Sequence, residues 1–147
     1  MRFLALLAAL VLTGCSPPGQ DAPCTLMDMD SDVAVVWRPA DFADSGGATI
    51  RLCVADTCTE RDSGSPDDPV ARASVRLADD IGPTTVPVRL TVTSRKGDKV
   101  VDDSAQVRLT EQHPNGPDCG PTAWTATFRA DPVKGLTSPK GLSLQKK

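Results

Sequence analysis

Val86-Pro87-Val88-Arg89-Leu90-Thr91-Val92 is the stretch that decides the fold. Apolar side chains at 86, 88, 90 and 92 alternate with Pro, Arg and Thr. That is the period-two pattern of a strand with one buried face and one wet face. The same alternation recurs on both sides. Upstream, Val33, Val35 and Trp37 alternate with Ala34, Val36 and Arg38, and Ala48, Ile50, Leu52 and Val54 with Thr49, Arg51 and Cys53. Ala71, Ala73, Val75 and Leu77 then alternate with Arg72, Ser74 and Arg76. Downstream follow Ala105, Val107 and Leu109, then Trp124, Ala126 and Phe128. Lys99-Val100-Val101, returning from a turn at Arg95-Lys96-Gly97-Asp98, supplies a seventh strand.

Outward positions rich in Arg and Thr suit a solvated sheet surface. After the first 14 residues, no stretch keeps helical spacing beyond about two turns. About seven short strands separated by Pro, Gly and Asp turns predict an all-β, antiparallel β-sandwich of immunoglobulin-like type over residues 24–130. The hallmarks of the true immunoglobulin family are missing: the chain has no Tyr for a tyrosine corner, and its Cys and Trp spacing does not fit.

The start of the chain is built differently. Met1-Arg2 is followed by ten apolar residues, Phe3 to Leu12, and then by Thr13-Gly14-Cys15. A positive start, a short apolar run and a small-residue exit make a secretory signal peptide, 1–14. Ten residues are too few for a membrane-spanning helix, which needs roughly 20. Leu12-Thr13-Gly14-Cys15 resembles the lipobox of bacterial lipoproteins. The resemblance implies that the Cys15 thiol is joined to diacylglycerol and that the chain is cut just before it. It also implies an extracytoplasmic protein held by lipid at the outer face of a membrane, a form of anchoring that is stable when two or more acyl chains are present. Abundant Ala, Arg, Asp, Pro and Gly beside scarce Ile, Asn and Lys are similar to the proteome of a high-GC bacterium such as an actinobacterium. Ser16 to Pro23, with three prolines, follows as an extended tether between lipid and domain.

Cysteine arithmetic agrees. The five cysteines are an odd number for an exported chain. Assigning Cys15 to lipid leaves Cys24, Cys53, Cys58 and Cys119 for two disulfides. A two-residue turn at Ala55-Asp56 places Cys53 opposite Cys58, outside the core, and then joins Cys24 to Cys119. The alternative is Cys24–Cys53 with Cys58–Cys119, and Ala55-Asp56 is not a favoured tight-turn pair.

Removing residues 1–14 from the 147-residue chain leaves 133, one domain's worth, and losing Arg2 moves the net charge from −3 to −4. That mildly acidic balance argues against nucleic acid as a partner. The tail, 131–147, carries Lys134, Lys140, Lys146 and Lys147 against one Asp. It is expected to be a solvated, flexible end or to supply a last edge strand through Leu136, Leu142 and Leu144. Contact with anionic lipid or wall polymer is the functional alternative.

Sharper chemistry finds little support. His113 sits in Glu111-Gln112-His113-Pro114-Asn115-Gly116-Pro117, a loop, and neither Ser63 nor Ser104 with Asp118 carries a nucleophile-elbow pattern. Asp28, Asp30 and Asp32 open like a calcium loop, but position six is Val33 and position twelve is Pro39, so a solvated acidic turn is expected instead. The pairs Asp67-Asp68, Asp79-Asp80 and Asp102-Asp103 lack the aromatic lining of a glycosidase cleft. Trp37 and Trp124 fall on inward phases and are expected in the core. No catalytic residue, metal or cofactor is expected. The chain reads as a non-enzymatic binding module that meets the membrane through its lipid and meets an envelope protein or polymer through the domain. The alternative is a small extracytoplasmic enzyme, or the accessory subunit of an envelope enzyme.

Overall fold

The computed structural model describes residues 23–139. The expected signal segment, Cys15, all of the tether but Pro23, and residues 140–147 lie outside the described residues.

Among the described residues nine strands form: β1 (Asp32–Trp37), β2 (Ala48–Val54), β3 (Thr57–Asp62), β4 (Ala71–Arg76), β5 (Thr85–Ser94), β6 (Lys99–Arg108), β7 (Thr110–Gln112), β8 (Ala123–Asp131) and β9 (Gly135–Thr137). They make two sheets, one ordered β3-β2-β5-β6 and the other β4-β1-β8-β7, with β9 also pairing β8. The deciding stretch is β5, flanked by β2 and β6, with Leu90 and Val92 fully buried. Pro87 is tolerated in this central strand because β2 ends opposite Val88. Beyond that point the side of Pro87 that lacks an N–H faces only the β2–β3 turn, where its carbonyl accepts the Ala55 N–H at 3.0 Å.

The alternation predicts about seven strands, and the count differs for local reasons. The expected strands at 99–101 and 105–109 are one, β6, whose apolar pattern is interrupted by Asp102-Asp103. Asp102 points outward to Arg89 and Lys99. Asp103 takes an inward position at the sheet edge and accepts the Leu136 N–H of β9 at 2.8 Å. An inward charge of this kind closes an edge strand to further pairing. The strands β3, β7 and β9 are short or polar, so period-two reading passes over them. The sandwich therefore extends through Thr137, and the segment 135–137 belongs to it.

Every pairing is antiparallel except β1 with β8, which run parallel with Asp32 opposite Thr125. Parallel neighbours need a long crossover. Here the chain crosses to the other sheet for β2, β3, β5 and β6 before β8 returns beside β1.

The core lies between the sheets and contains Val33, Val35, Trp37, Ile50, Leu52, Val88, Leu90 and Val92. Phe42 joins them from a short 3-10 helix, Pro39–Ser45, which the sequence pattern does not show. Pro39 starts this turn with a preset φ, and Gly46 ends it at φ 67°. Trp37 is fully buried and donates its indole N–H to the Ser63 carbonyl at 2.8 Å. Trp124 is half-buried and packs against the core from β8.

Candidate functional site

The disulfides join Cys24 to Cys119 and Cys53 to Cys58. Cys53 and Cys58 are register partners across β2 and β3, with Cα atoms 4.0 Å apart. Ala55 in the intervening turn has φ 49°, a left-handed conformation that favours Gly. The neighbouring bridge holds a turn whose sequence is a poor one. Two disulfides belong to an oxidising, extracytoplasmic compartment. Among the described residues, no helix is long and apolar enough to cross a membrane.

At the end of the sandwich where β1 and β8 begin, the N-terminal segment is fastened by more than its disulfide. Asn115 is buried, and its amide holds Met27 as a neighbouring strand would. Its Oδ1 accepts the Met27 N–H at 2.6 Å, and its Nδ2 donates to the carbonyls of Met27 (3.0 Å) and Gly120 (3.2 Å). The Thr25 hydroxyl donates to the same Oδ1 at 3.1 Å. Asn115 was not legible as an anchor, because Pro114-Asn115-Gly116-Pro117 reads only as a turn. One residue beyond the segment, Ser31 is buried as well, and its hydroxyl accepts the Trp124 N–H at 3.0 Å.

The residues singled out for chemistry do not converge. His113 is exposed, just after β7, and its imidazole lies 3.6 Å from the carboxylate of Glu111 on that strand. Ser63 is buried at the far end of the sandwich, where its hydroxyl accepts the Ala48 N–H at 3.0 Å, and Ser104 lies on the outer face of β6. In the acidic turn, Asp30 pairs with Arg76 at 2.8 Å and Asp32 pairs with Arg72. Two of its three carboxylates thus meet guanidinium groups. Among the described residues, no three His, Cys, Asp or Glu side chains gather as a metal ion requires. Asp102 is held below the usual carboxylate range by hydrogen bonds from Arg89 and Lys99. Asp131 is lowered too, by the backbone N–H groups of Lys134 and Val133.

Among the described residues, concave surface includes one groove on a sheet face and a group of hollows at one end of the sandwich. A shallow groove of about 380 Å³ runs along the outer face of β5 and β6 beside the Cys53–Cys58 bridge, with Arg89, Ser104 and Gln106 in its lining. At the end opposite Cys24, three adjoining hollows of about 190, 420 and 550 Å³ all have Arg95 in their linings. The smallest is formed by Pro39, Pro66, Ala43 and three glycines, with Ser63 and Arg95 as its polar side chains. The larger two add Asp62 on one side and Asp44, Lys96 and Asp98 on the other.

The fold and these surfaces define a class: an all-β, two-sheet domain braced by two disulfides. No protein-family model, curated protein or solved structure matches the chain.

Proposed function

We propose that the chain is an extracytoplasmic lipoprotein, fixed to the membrane through lipid on Cys15, whose β-sandwich works as a binding module rather than as a catalyst. The observation that carries the reading is the pairing of the other four cysteines, Cys24 with Cys119 and Cys53 with Cys58. Cys15 is then the one thiol left over, at the end of a signal-peptide pattern and inside Leu12-Thr13-Gly14-Cys15. Two further features support it. Asn115 and the Cys24–Cys119 bridge fix the chain nine residues after Cys15, a tether that spans at most about 30 Å when fully extended. The β5–β6 groove and the smallest hollow are lined by apolar and small polar side chains, backbone and one arginine each, which suits recognition better than proton transfer.

The test is expression of the chain and of Cys15→Ala in a bacterial host supplied with a radiolabelled fatty acid. Label and detergent-dependent membrane retention are expected for the parent and lost in the variant. Retention of Cys15→Ala in the membrane fraction overturns the proposal.

A further inference from the structure

Five of the nine arginines among the described residues are ion-paired, namely Arg51, Arg72, Arg76, Arg89 and Arg129. Arg95 is not, although Asp44, Asp62 and Asp98 share the adjoining hollows with it. Instead its guanidinium lies across Gly47. A Cβ placed on Gly47 falls 3.4 Å from Arg95 Nη2 and 3.9 Å from the Ser63 hydroxyl oxygen, so two polar groups approach the same point above bare backbone. Gly47 has φ 92°, which excludes most side chains from that spot. The Ser63 hydroxyl already accepts the Ala48 N–H, which leaves its own proton to donate.

We infer that this hollow binds the carboxylate of a small ligand, in the form of the free C-terminus of a peptide. The planar, five-donor guanidinium of Arg95 matches a carboxylate in a two-point contact. Ser63 supplies the third donor. Arg95 is the cation of the smallest hollow, Lys96 lines the adjoining one, and Asp44, Asp62 and Asp98 stand around them, so a doubly charged phosphate is opposed more strongly than a singly charged carboxylate. A volume of about 190 Å³, walled by Pro39, Pro66 and Ala43, has room for a small apolar side chain next to the carboxylate. The inference rests on the binding-module reading and gives that module a ligand class.

The experiment titrates the full, isotope-labelled chain in detergent micelles with acetyl-glycyl-alanine, its C-terminal amide and inorganic phosphate, following backbone amide shifts. Acetyl-glycyl-alanine is expected to saturate and to move Gly46, Gly47 and Gly64, with the amide and phosphate at least tenfold weaker. Arg95→Gln should weaken the acid at least tenfold with its spectrum otherwise unchanged, and Arg95→Lys should recover part of the loss. Equal binding of acid and amide, tighter binding of phosphate, no saturation by the acid, or undiminished binding by Arg95→Gln overturns the inference. Any of these found alongside intact Cys15-dependent retention leaves the anchoring in place and removes only the carboxylate site.

Discussion

The two disulfides close loops of very different length, and this makes their contributions separable. Cys24 and Cys119 are 95 residues apart, whereas Cys53 and Cys58 are 5 apart. In the chain-entropy account a cross-link stabilises by restricting the unfolded ensemble, with a dependence on the logarithm of loop length. That gives about 4.7 kcal/mol for the long loop and about 2.1 kcal/mol for the short one at 25 °C. The short bridge has less to add in the folded state as well, because six register pairs already join β2 to β3. The long bridge ties down a segment that otherwise rests on Asn115 and Thr25. We therefore expect Cys24→Ser/Cys119→Ser to lose roughly twice as much unfolding free energy as Cys53→Ser/Cys58→Ser. The measurement is urea denaturation of the full chain, followed by tryptophan fluorescence, since Trp37 is fully buried. The paired substitutions avoid leaving a free thiol that mispairs. Equal losses, or a loss under about 1 kcal/mol for the long bridge, refute the reasoning. Either result means that segment 23–30 undocks on its own while the sandwich stays folded.

Asn115→Ala removes the groups that hold Met27 and Gly120 and should cost about 2–3 kcal/mol in the same assay; a loss under about 0.5 kcal/mol contradicts the anchoring role. Gly135→Ala sets a Cβ 2.5 Å from Asp103 Oδ2 and 2.7 Å from Asp103 Cβ at φ 76°. It should therefore raise amide exchange at Leu136 and Thr137, and unchanged protection there refutes the packing. Acid should act through Asp102 and Asp131. Both are lowered in the folded state, so their contribution is complete above the ordinary carboxylate pKa of about 3.9 and is lost as pH falls below it. The urea midpoint should be flat from neutral pH to about 5 and fall below about 4, less steeply in Asp102→Asn; an identical slope in that variant rejects the assignment. Ala55→Gly, made in the chain lacking the short bridge, should recover about 0.5–1 kcal/mol by relieving the left-handed Ala; no gain means the turn relaxes once the bridge is gone.

Period-two alternation was readable wherever one face of a strand is buried and the other wet. That is why β1, β2, β4, β5 and β8 are legible by residue. It fails where burial is decided by neighbours. The strand β3 is Thr-Cys-Thr-Glu-Arg-Asp, almost wholly exposed, and it exists because the hairpin and its disulfide lay it against β2. Ala34 shows the opposite failure. It sits on the outward phase of β1, yet it is fully buried, because a methyl group between β4 and β8 is covered by its larger neighbours. Phe42 and Asn115 escaped for a third reason. Each lies in a segment whose sequence reads as turn, and only the packing of distant residues gives it a role. Arg95 belongs with them: a turn arginine acquires meaning from Gly47 and Ser63, brought to it by Ala48, which opposes Ser94 on β5 and receives the Ser63 N–H.

The proposed anchor and the proposed cleft stand at opposite ends of one element. β1 begins at Asp32, just after the Cys24–Cys119 and Asn115 fastenings, and ends at Trp37, whose indole reaches Ser63 beneath the Arg95 hollow. Six residues at about 3.3 Å each put roughly 20 Å between these ends. On the proposed lipid attachment at Cys15, the chain fixed at Cys24 makes the fastened end the one joined to the bilayer by the tether. On the same proposal, the end with Gly47, Ser63 and Arg95 is the one remote from the point of attachment. A site for a peptide terminus is useful only where peptides can reach it, and the parallel pairing of β1 with β8 keeps the fastened end and the Arg95 hollow at opposite ends of the sandwich. Both strands start at the fastened end, so the N-terminal segment and the 113–121 loop that grips it emerge side by side. Had β8 run antiparallel, the residue after its loop would start at the cleft end, and the bridge from Cys24 would have nothing near it to hold.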